Sequence, residues 1–185
     1  MAPEAGADRG SKGGSVHPLP DNPPHAGGPA GSTVLARVVL EDVENALTTS
    51  RARQNDVNQA IADLQQTARF LPEGLVGPFI LHLSVQTNGL VFDVRDARDQ
   101  PLRIYRISLT PFRRLIKDYV LLVDSFDEAV REGNTMRVRA IDMGRRGLHN
   151  DGAALMVERL RGKIDMDDET ARRLFTLASI LQQRR

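Results

Sequence analysis

The stretch Phe79-Ile80-Leu81-His82-Leu83-Ser84-Val85-Gln86-Thr87-Asn88-Gly89-Leu90-Val91-Phe92-Asp93-Val94 decides the fold. Phe79, Leu81, Leu83 and Val85 alternate with His82, Ser84 and Gln86, the period of a strand with one face buried. Asn88-Gly89 is a strong short hairpin signal, because a tight turn between strands needs residues that tolerate positive φ. Leu90, Phe92 and Val94 then alternate on a return strand. Asp96–Gln100 reads as a second turn and Leu102–Leu109 as a third antiparallel strand. The middle of the chain is therefore a three-stranded meander.

Upstream, Thr33–Leu40 reads as a short strand carried by Val34, Val38 and Val39. Gln54–Leu71 reads as a helix, with Val57, Ile61, Leu64, Ala68 and Leu71 on one stripe and Pro72-Glu73-Gly74 as its stop. Downstream the period changes. Thr110 is placed to cap a helix with Pro111 at its first position. Phe112, Leu115, Ile116, Tyr119, Leu122, Val123, Phe126 and Val130 follow at helical spacing, up to Gly133. Thr135 can cap a shorter helix with Val138 and Ile141. A further helix carries Leu155, Met156 and Leu160 and stops at Gly162. Asp165–Glu169 supply negative charge for the start of a last helix with Ala171, Leu174, Phe175, Ala178 and Leu181. Strands first and helices after predict an α+β fold: a meander plus an N-terminal strand, forming an antiparallel sheet packed by C-terminal helices.

Composition separates residues 1–33 from a single domain over 34–185. The first 33 residues hold six of the ten prolines and seven of the fifteen glycines. With Met1, Val16 and Leu19 as their only sizeable apolar side chains, they are expected to be disordered. No basic start followed by an apolar core marks a secretory signal. No apolar run approaches the ~20 residues of a bilayer-spanning helix. The chain has no cysteine and a formal net charge of +1. Thiolate metal sites, disulfides and cysteine nucleophiles are excluded, and a cytoplasmic setting is expected. Two of the four histidines, His17 and His25, fall in the tail. Neither a metal site nor a cofactor is expected. Charge is uneven: residues 101–185 carry seventeen basic and twelve acidic side chains. An anionic partner would meet that half.

Three strings are distinctive: Leu109-Thr110-Pro111-Phe112-Arg113-Arg114; Ala140 to Asn150, reading AIDMGRRGLHN; and Thr170-Ala171-Arg172-Arg173-Leu174-Phe175-Thr176-Leu177. With the Leu81–Ser84 and Val91–Asp93 strands, they resemble a small bacterial group, uncharacterised protein family 0262, over about residues 34–183. The resemblance implies a bacterial cytosolic protein and carries no activity, ligand or catalytic residue.

The candidate site combines two segments. Arg113 and Arg114 lie in a first helical turn, where free amides disfavour cations. They call for a carboxylate such as Asp142, Asp93 or Asp118, or for an external anion. Asp142–Gly152 packs Asp142, Arg145, Arg146, His149 and Asn150 among three glycines, and reads as a connection between helices with Asn150 capping the second. Gly144 or Gly147 is expected at positive φ, and Arg113 or Arg114 beside Asp142–His149. The leading expectation is a non-catalytic binding or regulatory protein that grips an anionic small molecule or protein. The alternatives are a small enzyme acting on a phosphorylated or carboxylated metabolite through His149, and a nucleic-acid or ribosome-associated factor. For the last, only Tyr105 looks free to stack on a base. His82 reads as a solvent-facing strand residue.

Overall fold

A computed structural model describes residues 34–41 and 51–182. The proline-rich segment, its histidines and the expectation of disorder there lie outside the described residues. The elements run β1 (Leu35–Leu40), α1 (Arg51–Thr67), β2 (Phe70–Pro72), β3 (Phe79–Gln86), β4 (Gly89–Arg95), β5 (Pro101–Ser108), a 3-10 turn at Thr110–Phe112, α2 (Arg113–Arg131), α3 (Thr135–Leu160), β6 (Ile164–Met166) and α4 (Asp168–Gln182). The fold is α+β, with a four-stranded sheet in the order β1-β3-β4-β5 and a two-stranded ribbon of β2 and β6.

The three strands of the meander form, but the hairpin turns one residue earlier than Asn88-Gly89: Gln86 pairs with Gly89, Thr87 and Asn88 make the turn with Thr87 at φ 57°, and Gly89 opens β4. Leu83 pairs with Phe92 and Phe92 with Tyr105, so one row of core side chains crosses three strands. β1 joins on the far side of β3 and runs parallel to it. A parallel neighbour needs a crossover, and the chain from β1 through α1 supplies one. Leu81, Leu83, Leu90, Phe92 and Val94 pack in one cluster with Leu64 of α1 and with Leu174, Phe175, Leu177 and Ala178 of α4.

Several local expectations give way to tertiary packing. The first helix ends at Thr67 rather than Leu71, because Phe70 is fully buried and pairs with Met166 across the β2–β6 ribbon. Thr110 does not cap α2; its hydroxyl accepts a hydrogen bond from the Asn88 side chain at 2.6 Å. Asn134, not Thr135, caps α3 by accepting from the Arg137 amide at 3.0 Å. Gly133, by contrast, does end α2 at φ 66°.

The largest correction concerns Asp142–Gly152, which is no connection at all. It lies inside α3, one continuous helix of 26 residues. Gly144 and Gly147 are not at positive φ; among the described residues the glycines there are Gly74, Gly133 and Gly162. A glycine inside a helix costs about 1 kcal/mol against alanine, which side-chain burial along the same helix outweighs. Ile141, Ala153, Met156 and Leu160 are all buried. Gly152 has its own reason: a Cβ there would lie 2.5 Å from the Phe175 ring. It lets α3 and α4 approach closely.

Candidate functional site

No hydrogen bond or ion pair joins the two predicted segments among the described residues. Arg113 donates to the Asn88 side chain at 3.1 Å, tying the start of α2 to the β3–β4 turn. Arg114 makes an exposed contact with Asp118 one turn along at 3.9 Å. Asp142 is occupied within its own helix, by Arg146 at 2.9 Å and Arg145 at 3.6 Å. The physical reason is distance along α3: as part of a helix, Asp142–Asn150 faces α1, α2 and α4 through successive residues and cannot fold back as a loop would. Asn150 caps nothing; it accepts from Arg172 of α4 at 2.9 Å and staples α3 to α4.

Arg145 and His149 do share a cluster, with partners that sequence spacing could not name. Arg145 reaches Asp56 of α1 at 3.4 Å, and the Tyr119 hydroxyl of α2 donates to the same carboxylate at 3.0 Å. The Arg145 guanidinium also lies 5.7 Å from the centre of the Phe126 ring, a cation–π distance. Burial, then the neighbouring Asp56 charge, push the Tyr119 phenol far above its ordinary value, so it is a neutral donor. The His149 ring lies 5.2 Å from that of Tyr119 and 6.2 Å from Phe175. Its Nε2 is buried without a hydrogen-bond partner. Burial, reinforced by Arg145, Arg173 and Arg172, lowers the imidazole to about 4 and keeps it neutral near pH 7. This arrangement joins three helices and satisfies Asp56 internally.

A second polar cluster covers the outer sheet face. His82 is not solvent-facing. Its Nδ1 meets Glu41 at 3.0 Å and its Nε2 meets Asp99 at 2.9 Å, with the side chain 11% exposed. Arg37 pairs with Asp99 at 2.8 Å, and Arg95 donates twice to Asp93. The hydrogen bond from His82 holds the Asp99 carboxyl below its ordinary value. Tyr105 is not free to stack on a base: it is buried on the core face of β5. Among the described residues no group of three or more histidine, aspartate or glutamate side chains is arranged to hold a metal.

A third arrangement is a cavity of about 470 Å³ along one face of α2, lined by Arg113, Ile116, Lys117, Val120, Leu121 and, from α4, Gln182. The spacing of the five α2 residues is the helical repeat, so all share one side. Ile116 is buried beneath while Leu121 remains 54% exposed. Neither Arg113 nor Lys117 makes an ion pair among the described residues, and the first turn of α2 has no acidic residue. The Gln182 side-chain oxygen is buried with no hydrogen-bond partner among the described residues. Of the predicted site residues only Arg113 lines this cavity. Lys117 was legible as its neighbour one turn on; Gln182, sixty-nine residues beyond Arg113, was not.

Comparison with known proteins gives the family and no activity. The family model described as Uncharacterised protein family (UPF0262) matches residues 32–184. A UPF0262 protein of Granulibacter bethesdensis is 50% identical over 165 residues, covering 84% of this chain and 93% of its own. One of Acidiphilium cryptum is 52% identical over 155 residues, covering 81% and 93%. One of Maricaulis maris is 52% identical over 126 residues, covering 68% and 79%. No solved structure matches. With the family match spanning all of the described residues, the chain belongs to the UPF0262 family.

Proposed function

We propose that this protein is a non-catalytic cytoplasmic binding or regulatory protein, and that it takes an anionic ligand at the start of α2. One observation carries the reading: Arg113, at the positive end of α2, and Lys117, one turn on, line a common cavity with no carboxylate partner among the described residues. A cation in the first turn, as Arg113 is, is repelled by the helix dipole by a few tenths to about 1 kcal/mol. A bound anion would remove that cost and gain charge-assisted hydrogen bonds. The remaining predicted arginines support a structural role instead, since Arg145 and Arg146 are neutralised by Asp56 and Asp142. An enzymatic role for His149 draws no comparable support, because its ring is packed against Tyr119 and Phe175.

Thermal melting in rising inorganic phosphate tests the reading. Wild type is expected to gain stability with phosphate at fixed ionic strength, as binding to the folded state requires. Arg113→Gln/Lys117→Gln should lose most of that gain, and Arg145→Ala should keep it. Equal phosphate stabilisation of wild type and the double variant would overturn the proposal.

A further inference from the structure

Resting on that reading of the α2 cavity, we propose that its ligand is a free single-chain carboxylate, an acyl chain whose anionic end meets Arg113 and Lys117. The cavity is more than a charged surface. Beside the two cations lie Ile116 and, one turn on, Val120 and Leu121, three apolar side chains that line the same cavity. Leu121 is a large apolar side chain left more than half exposed where its neighbours Ile116 and Tyr119 are buried. An inorganic anion would satisfy the cations and leave this apolar wall wet. An uncharged hydrocarbon would do the reverse. A ligand with one charged end and one apolar body satisfies both parts.

The volume favours a small molecule over a protein partner. About 470 Å³ lies within the range of roughly 300–1,000 Å³ usual for small-ligand sites. From Arg113 to Leu121 the helix rises about 12 Å at 1.5 Å per residue. That length suits a chain of moderate size and is short for the several turns of a docked helix. Gln182 adds a third polar contact. Its side chain lines the cavity, and an amide N–H₂ group is a donor suited to a carboxylate. One carboxylate could thus accept from Arg113, Lys117 and Gln182 together.

Isothermal calorimetry on the full chain with decanoate, acetate and decanol separates the parts. Decanoate should bind roughly a hundredfold or more tighter than acetate, because each buried methylene adds about 0.8 kcal/mol. Decanol should bind at least about tenfold more weakly than decanoate, having lost the charge-assisted bonds. Leu121→Gln changes an exposed position and should preserve the fold. It should weaken decanoate severalfold and leave phosphate stabilisation unchanged. Arg113→Gln should weaken both ligands. Phosphate binding that depends on Arg113, with decanoate no tighter than acetate, would overturn the acyl-chain inference alone. No response to any anion would overturn the anion-binding reading as well. Binding to phosphatidylglycerol vesicles without binding of decanoate in solution would assign the face to a membrane and end the proposal.

Discussion

His149 and Gly152 show how much of α3 depends on contacts to other helices. His149 is held neutral, with its proton affinity lowered from 6.5 to about 4 by burial and by three arginines. The unfolded chain takes up a proton near pH 6.5 and the folded one does not, so the unfolded state binds more protons between those values. Stability should therefore fall as pH drops through that window, by at most about 3 kcal/mol at its lower end. Equilibrium urea unfolding at pH 7, 5.5 and 4.5 measures this. His149→Phe should flatten the slope in that range. A slope unchanged in the variant would show that His149 is not its source. The glycines give a paired test. A Cβ at Gly147 would meet open space out to 4 Å, and the backbone there is helical, so Gly147→Ala should stabilise by about 0.5–1 kcal/mol. Gly152→Ala forces a methyl group into the Phe175 ring and should destabilise by about 1–3 kcal/mol. Chemical denaturation midpoints of the two variants should move in opposite directions.

At the scale of elements, the outer sheet face ties β1, β3 and the β4–β5 turn through one carboxylate. Asp99 meets His82, Arg37 and, at 3.5 Å, Arg95, while sitting at φ 64° in the turn. Its folded proton affinity lies below the ordinary 3.8, chiefly through the His82 hydrogen bond. A depressed carboxyl contributes stability above its unfolded value and loses it as pH falls through the folded one. The contribution should thus disappear in strong acid, below the window in which His149 acts. Asp99→Asn should lower stability at pH 7 and narrow the difference from wild type below about pH 3. Acid unfolding followed by circular dichroism separates the two titrations. The elements also show where sequence periodicity stops being informative. β3 and β4 were legible from their alternation, whereas the turn was misplaced by one residue, since Thr87-Asn88 turns the chain and Gly89 pairs with Gln86. β2 and β6 were not, being three residues each and meaningful only when paired. The α3 glycines looked like stops because propensity is local, whereas the burial that overrides it comes from α2 and α4.

On the scale of the whole molecule, the described core draws on residues from Leu35 to Leu181. The first thirty residues lack the apolar pattern needed to join such a core. Deleting residues 1–30 should leave the melting temperature unchanged within about 1–2 °C by calorimetry. A large fall would show that this segment packs. No helix among the described residues is long and apolar enough to cross a membrane.

The sequence by itself determined the α+β class, the three strands of the meander, the amphipathic α2 and the excess of positive charge in the second half. Each is a local pattern: a period of two, a period of 3.6, or a turn residue whose backbone preference needs no distant partner. The tertiary structure alone decided which charges are spent and which are available. Asp56 lies 89 residues before Arg145 yet neutralises it, while His82 finds carboxylates 41 residues before it and 17 after. Arg113 and Lys117 are left facing an apolar wall beside Gln182. Ion pairing and burial depend on distances in space, which the order of residues along the chain does not contain.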